Sequence, residues 1–167
     1  LTNRNLHSYE EFELGIRLRA AGWRLVRLPI ISVKHYGHTM PAYQLLKRRW
    51  TSRYSQGLGE LVRASFGEAH MPLLLREMTD LRLYLLVVFW WLALLMILVT
   101  VRPWPIMMTL FISLLALPFV AMIIKKRDFS LGVYSVVAWQ YLSAGMIVGL
   151  IRKQVSPLER ISSIELN

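Results

Sequence analysis

Cysteine is absent from the 167 residues, which excludes disulfides and cysteine-ligated zinc and leaves the compartment open on that ground. Aspartate is almost absent, occurring only at Asp80 and Asp128. Charge is missing from three long stretches, Leu83 to Val101, Pro103 to Ile124 and Phe129 to Ile151, of 19, 22 and 23 residues. A helix needs roughly 20 apolar residues to cross about 30 Å of hydrocarbon, so each run is long enough for a span, and a small soluble protein built on three such runs would have almost no wettable surface. The third is the most diluted, by Gln140, Tyr134, Tyr141 and several Ser and Gly, and reads as a span, a re-entrant segment or an interfacial helix. A secretory signal is missing as well. The chain opens LTNRNLHSYEE, without an initiating Met, a basic segment or an apolar segment, and this reads as the interior of a domain, so a C-terminal fragment of a longer protein is expected. Internal repeats and low-complexity tracts are also lacking.

What is present divides in two. Residues 1 to 80 carry twelve Lys/Arg and seven Asp/Glu, whereas residues 81 to 167 carry eight and three, nearly all between the apolar runs. The formal net charge of +10 raises the question of nucleic acid. The cations gather at the edges of the apolar runs, however, with Lys47, Arg48, Arg49 and Arg53 before the first and Lys125, Lys126 and Arg127 between the second and third. That placement fits attraction to anionic lipid and the bias of positive loops toward the cytoplasm, and no nucleic-acid partner is expected. The soluble part and the 125–127 loop are then cytoplasmic, at an inner or plasma membrane. Arg152 and Lys153 conflict with this if the third run crosses completely.

Within the soluble part, Ser8 to Ala21 reads as a helix. Ser8 and Glu11 fit the S-x-x-E capping box, Leu14, Leu18 and Ala21 share a face, and Gly22 stands where a left-handed C-terminal cap belongs. Trp23 to Lys34 reads as a strand, rich in Val, Leu and Ile, with Pro29 marking an edge or bulge. His35-Tyr36-Gly37-His38 follows as a loop. Ala42 to Phe66 reads as a basic amphipathic helix, broken near Gly57 and Gly59, with Trp50 and Tyr54 suited to a headgroup layer and the cations snorkelling to phosphates.

The stretch HSYEEFELGIRLRAAGWRLVRLP resembles the acidic motif of family-two glycosyltransferases, E-D-x-x-x-x-x-R-x-x-x-x-G-W, with Glu10-Glu11, Arg17 and Gly22-Trp23 in register. The following strand and histidine, and then a basic helix leading into apolar runs, are similar to the membrane-attached members. The resemblance covers most of residues 3 to 66. It implies an inverting enzyme with a GT-A fold, hence an α/β fragment over residues 1–40, a basic interfacial segment over 41–80, a transmembrane region of two to three helices over 81–151 and a tail over 152–167. It also implies a nucleotide-sugar donor, a lipid-linked or glycan acceptor, and a divalent cation, Mg or Mn. The main metal motif of such enzymes, Asp-x-Asp, is not in the sequence and would lie upstream.

An inverting transferase needs a carboxylate to take the proton of the acceptor hydroxyl as that oxygen attacks the anomeric carbon. The resemblance implies that role for Glu11, with Glu10 as the substitute. Glu stands here in place of the family's usual Asp, one methylene longer. The competing reading of Glu11 is a capping residue bonded to the Ser8 N–H. Glu13 reads as a solvated face or a hydrogen-bond partner of the site, and Arg17 as a tie from helix to fold. His35 is a candidate for the metal or the donor phosphates, His38 a lesser one, and the pair lacks a third ligand for zinc. Gln44-Leu45-Leu46-Lys47-Arg48-Arg49-Trp50 approaches a Q-x-x-R-W motif of processive enzymes with the spacing wrong by two residues, so processivity is not implied. Arg48 and Arg49 suit diphosphate oxygens or a lipid-facing cationic surface, and Trp50 an acceptor sugar. Phe89, Trp90 and Trp91 read as helix packing or lipid contact.

Two functions follow from different classes. One is a membrane-bound glycosyltransferase; the other is a membrane-associated binding or assembly module in which Glu11 is only a cap. A transporter is disfavoured because no apolar run carries an ionisable residue.

Overall fold

A computed structural model describes residues 3–26, 28–29, 33–34, 37 and 39–155. Among these residues the secondary structure is seven α-helices and one 3₁₀ turn: α1 (Glu10–Ala20), α2 (Ala42–Thr51), the turn (Tyr54–Gln56), α3 (Gly57–Ser65), α4 (Met71–Glu77), α5 (Thr79–Thr100), α6 (Trp104–Lys126) and α7 (Phe129–Ile151). The expected α/β class is thereby overturned, and the GT-A sheet implied for residues 1–40 has no strand among the described residues. Of the expected strand, residues 27 and 30–32 lie outside the described set, and the described remainder is irregular. A strand forms only where a neighbouring edge accepts its backbone N–H and C=O groups. No described segment supplies one, so β-propensity alone leaves Trp23, Leu25, Val26, Leu28 and Val33 exposed.

The apolar runs fold as their composition dictates. α5, α6 and α7 are each long and apolar enough to cross a membrane. Pro105 stands in the first turn of α6, where its missing N–H has no acceptor to lose, and Asp128 caps α7 by accepting the Leu131 N–H at 2.7 Å. Trp90 donates to the Leu114 carbonyl at 2.9 Å and Trp91 to Gln140, so both indoles serve helix packing, while Phe89 faces outward.

α1 begins one residue later than the capping box predicts. Ser8 is buried, and its hydroxyl donates to the Tyr54 carbonyl at 2.9 Å instead of closing a cap, while Tyr9 precedes the helix with φ 66°. The C-terminal end follows expectation. Gly22 has φ 85°, and the Gly22 and Trp23 N–H groups bond back to Arg19 and Leu18, both at 3.0 Å, in a Schellman closure.

The basic segment breaks earlier than predicted, at Arg53 with φ 64°, and its glycines have a different use. A Cβ on Gly57 would lie 1.8 Å from Ser8 Oγ, and one on Gly59 would lie 1.9 Å from the Met146 carbonyl oxygen. On the facing helix, Cβ atoms on Gly145 and Gly149 would meet the backbone of Ser55 and Gln56 at 2.5 and 2.1 Å. Gly57 makes room for Ser8, while Gly59, Gly145 and Gly149 let the 3₁₀ turn and α3 press backbone to backbone on the last turns of α7, as small residues do between membrane helices. Beside this seam lies one apolar core, in which Ile16, Leu58, Leu61, Leu74, Met78, Leu81, Tyr84 and Met146 join α1, α3, α4, the start of α5 and the end of α7. α2 lies along α7, with Leu46 buried and edge-on ring contacts from Tyr43 to Tyr134 and from Trp50 to Tyr141, centroids 5.3 and 5.8 Å apart.

Candidate functional site

Two polar centres flank the apolar core at the head of α5. The first is built on Glu60. This carboxylate sits in α3 between apolar neighbours and is fully buried. Burial without partners would be prohibitive, and three donors meet it. The His7 backbone N–H donates to Oε2 at 3.0 Å, His7 Nδ1 lies 3.0 Å from Oε1, and Arg152 Nη1 reaches Oε1 at 3.3 Å while also bonding Gln56 Oε1 at 3.3 Å. Arg63, one turn further along α3, donates to the carbonyls of Gly149 (2.9 Å) and Arg152, satisfying acceptors at the C-terminus of α7. Asn5 and Val155 close the end with two reciprocal bonds of 3.1 and 2.7 Å. Residues more than 90 positions apart thus meet around one carboxylate.

The second centre lies at the start of α1. Tyr9 Oη donates to Asp80 Oδ2 at 3.1 Å, fastening α1 to the first turn of α5. Burial, helped by the neighbouring Tyr84 and Asp80, pushes the Tyr9 phenol far above its ordinary range. Arg49 stacks over the Tyr54 ring, 5.4 Å from its centroid. At the other end of α1, Arg19 bonds Glu77 of α4, and this carboxylate raises the Arg19 pKa.

Against this geometry the predicted site residues divide. Glu10 and Glu11 occupy the first turn of α1, both exposed, and neither makes a hydrogen bond or ion pair among the described residues. The capping alternative for Glu11 is gone, because no side-chain cap forms. Glu13 is buried, not solvated. Its Oε1 takes Arg17 Nε at 2.8 Å, and its Oε2 has no partner among the described residues. Arg48 is exposed, Arg49 half-buried, and Trp50 borders a groove of about 330 Å³ shared with Trp91, Gln140, Tyr141 and Ala144. His35 and His38 lie outside the described residues. Among the described residues no group of three His, Asp or Glu gathers to hold a metal, so the divalent cation expected from the resemblance has no fitted site there.

The sequence reading missed Glu60, His7, Arg63 and Arg152. The signal was present in GLGEL: a lone acid framed by glycines and leucines on an otherwise basic segment.

No protein-family model, curated protein or solved structure matches the chain. With no strand among the described residues either, the resemblance to family-two glycosyltransferases is corrected: neither the fold nor a family match upholds it.

Proposed function

We propose that the chain holds a sugar-transfer centre at the face of a membrane, moving a sugar from a nucleotide donor to a lipid-linked or glycan acceptor, with Glu11 as general base and Glu10 beside it. What carries this reading is the placement of two uncommitted carboxylates. A base must be free to meet a substrate hydroxyl and fixed well enough to be positioned. Glu11 is exposed and unbonded among the described residues, yet the residues just before it are anchored, Tyr9 to Asp80, Ser8 to Tyr54 and His7 to Glu60. Asp80 opens α5, so the carboxylates stand near the level where that helix leaves the bilayer, within reach of an acceptor confined to it. Arg48 and Arg49 are the cations suited to the leaving diphosphate, Arg49 being already oriented over Tyr54. No step is routed through a metal.

Sidedness belongs to the same proposal. α5 leaves the soluble face and α6 returns to it, so α7 starts where α5 started. The far end of α7 is bonded to Asn5, Gln56 and Glu60, which belong to the soluble part. On this reading α7 begins and ends on one face, and only α5 and α6 cross. This puts Arg152 and Lys153 with the other cations on the cytoplasmic side and removes the conflict in the charge pattern.

A second reading, an assembly module without catalysis, is favoured by the exposed Trp23, Leu25, Val26, Leu28 and Val33, an apolar stretch of the kind that partners cover. Transfer from a panel of labelled nucleotide sugars, measured in membranes carrying the protein, separates the two. Glu11→Gln is expected to lower the rate by about 10²-fold or more while leaving the protein folded. Full activity in Glu11→Gln would remove Glu11 from the mechanism, and the absence of transfer from every donor would favour the module.

A further inference from the structure

A groove of about 330 Å³ opens where α2, α5 and α7 meet, lined by Trp50, Trp91, Gln140, Tyr141 and Ala144. Its polar atoms are largely spent on one another. Trp91 Nε1 donates to Gln140 Oε1 at 2.5 Å, and Trp50 packs edge-on against Tyr141. What remains for a ligand is mainly aromatic and aliphatic wall. A sugar enclosed there would lose water from several hydroxyls and find few partners, so a hydrocarbon suits the groove better. Depth gives the source of that hydrocarbon. Trp91 stands eight residues into the charge-free run that begins at Leu83, about 12 Å along the axis of α5 at 1.5 Å per residue. α5 is long and apolar enough to cross a membrane, which sets this wall of the groove at the level of acyl chains.

Trp50 belongs to a different kind of helix. α2 contains no acid, and Lys47 and Arg53 stand three residues to either side of Trp50, both exposed. Neither has an ion pair among the described residues. Glu60, the next acid along the chain, is buried and already bonded to His7 and Arg152. We infer that the groove is a lipid site, holding a hydrocarbon chain of an anionic membrane lipid whose headgroup is met by Lys47 and Arg53. An apolar slot at acyl depth and free cations beside one of its walls are the two halves that such an amphiphile joins. Volume limits how much of it enters. Pockets that enclose a whole drug-sized molecule run from roughly 300 to 1,000 Å³. At about 330 Å³ the groove takes a length of one chain and leaves the headgroup outside, beside α2. Bound there, the lipid would tie α2 to α5 and α7. The inference rests on α5 standing in a membrane; it needs no sugar transfer and uses neither Glu11 nor Arg48 and Arg49.

The test places the full chain in phosphatidylcholine vesicles with a small fraction of phosphatidylglycerol that carries a photoreactive diazirine in its acyl chain. Labelled residues are located by mass spectrometry. Labelling is expected at Trp50, Trp91 or residues 140–144, and excess unlabelled phosphatidylglycerol should suppress it although phosphatidylcholine is already abundant. Leu117, exposed on α6, should be labelled without such competition. Ala144→Phe fills the groove and should abolish the competed labelling. Lys47→Gln/Arg53→Gln should weaken it about tenfold or more, whereas Lys125→Gln/Lys126→Gln, which removes the same charge from the α6–α7 turn, should leave it unchanged. The wild-type labelling map decides even where Ala144→Phe fails to fold. Labelling confined to uncompeted positions such as Leu117 would overturn the site. So would equal losses in the two double variants, which would reduce the effect to general surface charge, or competed labelling undiminished in Lys47→Gln/Arg53→Gln or in folded Ala144→Phe.

Discussion

α6 and α7 have the same length and both qualify by composition as membrane spans, yet they are built for different neighbours. α6 buries little beyond Met107 and Met122 and exposes apolar side chains along most of its length. α7 buries Gly132, Val136, Ser143, Gly145, Met146 and Gly149, and its end is held by Arg63, Glu60 and Asn5. Hydropathy reports which solvent a helix tolerates. Small residues and interrupted apolarity report where protein replaces lipid: α7 meets α6 at Gly132 and the 3₁₀ turn and α3 at Gly145 and Gly149.

The contrast can be broken at several points, the largest at the glycine seam. Gly59→Val drives a side chain into the Met146 carbonyl, and because that neighbour is backbone it cannot swing aside. A loss of about 3 kcal/mol or more is expected in denaturant unfolding, whereas Ala121→Val on the exposed side of α6 should change stability by no more than about 0.5 kcal/mol. Equal effects would erase the distinction between the helices. Next comes Glu60→Ala, which leaves Arg152 and the His7 N–H facing a void, with an expected cost of about 3–5 kcal/mol by the same measurement. Ser8→Ala removes one bond to the Tyr54 carbonyl and should cost about 1 kcal/mol. The smallest effect near neutral pH concerns Tyr9. Its pKa is raised in the fold above the ordinary 10.0, so the stability it confers is complete below pH 10 and declines as pH rises beyond it, where the unfolded chain ionises first. Tyr9→Phe should flatten that alkaline decline, and an unchanged pH profile would remove Tyr9 as its source.

Sequence pattern disclosed the elements whose causes are local. The three apolar runs match α5, α6 and α7 within four residues, and Gly22 closes α1 because left-handed backbone is a property of one position. It failed wherever a distant segment decided the outcome. Ser8 had the spacing of a cap, but the Tyr54 carbonyl, 46 residues away, took its hydroxyl. Gly57 and Gly59 resembled breakers and proved to be contact points for Ser8 and α7. The stretch from Trp23 to Lys34 had strand-like composition without a strand to pair with among the described residues, and the GT-A expectation fell with it. Of the candidate site, Glu10 and Glu11 were legible as chemistry, whereas Glu60 required the register of α3 against α7, which no spacing within either segment encodes.

The most direct test of this account is the side on which α7 ends. With no native cysteine in the way, single Cys variants at Glu68, Arg102 and Lys153 can be labelled by a membrane-impermeant maleimide in vesicles of both orientations. Lys153→Cys is predicted to react from the same face as Glu68→Cys, and Arg102→Cys from the opposite one. Labelling of Lys153→Cys from the Arg102 face would mean that α7 crosses the bilayer, and would contradict its attachment to the platform.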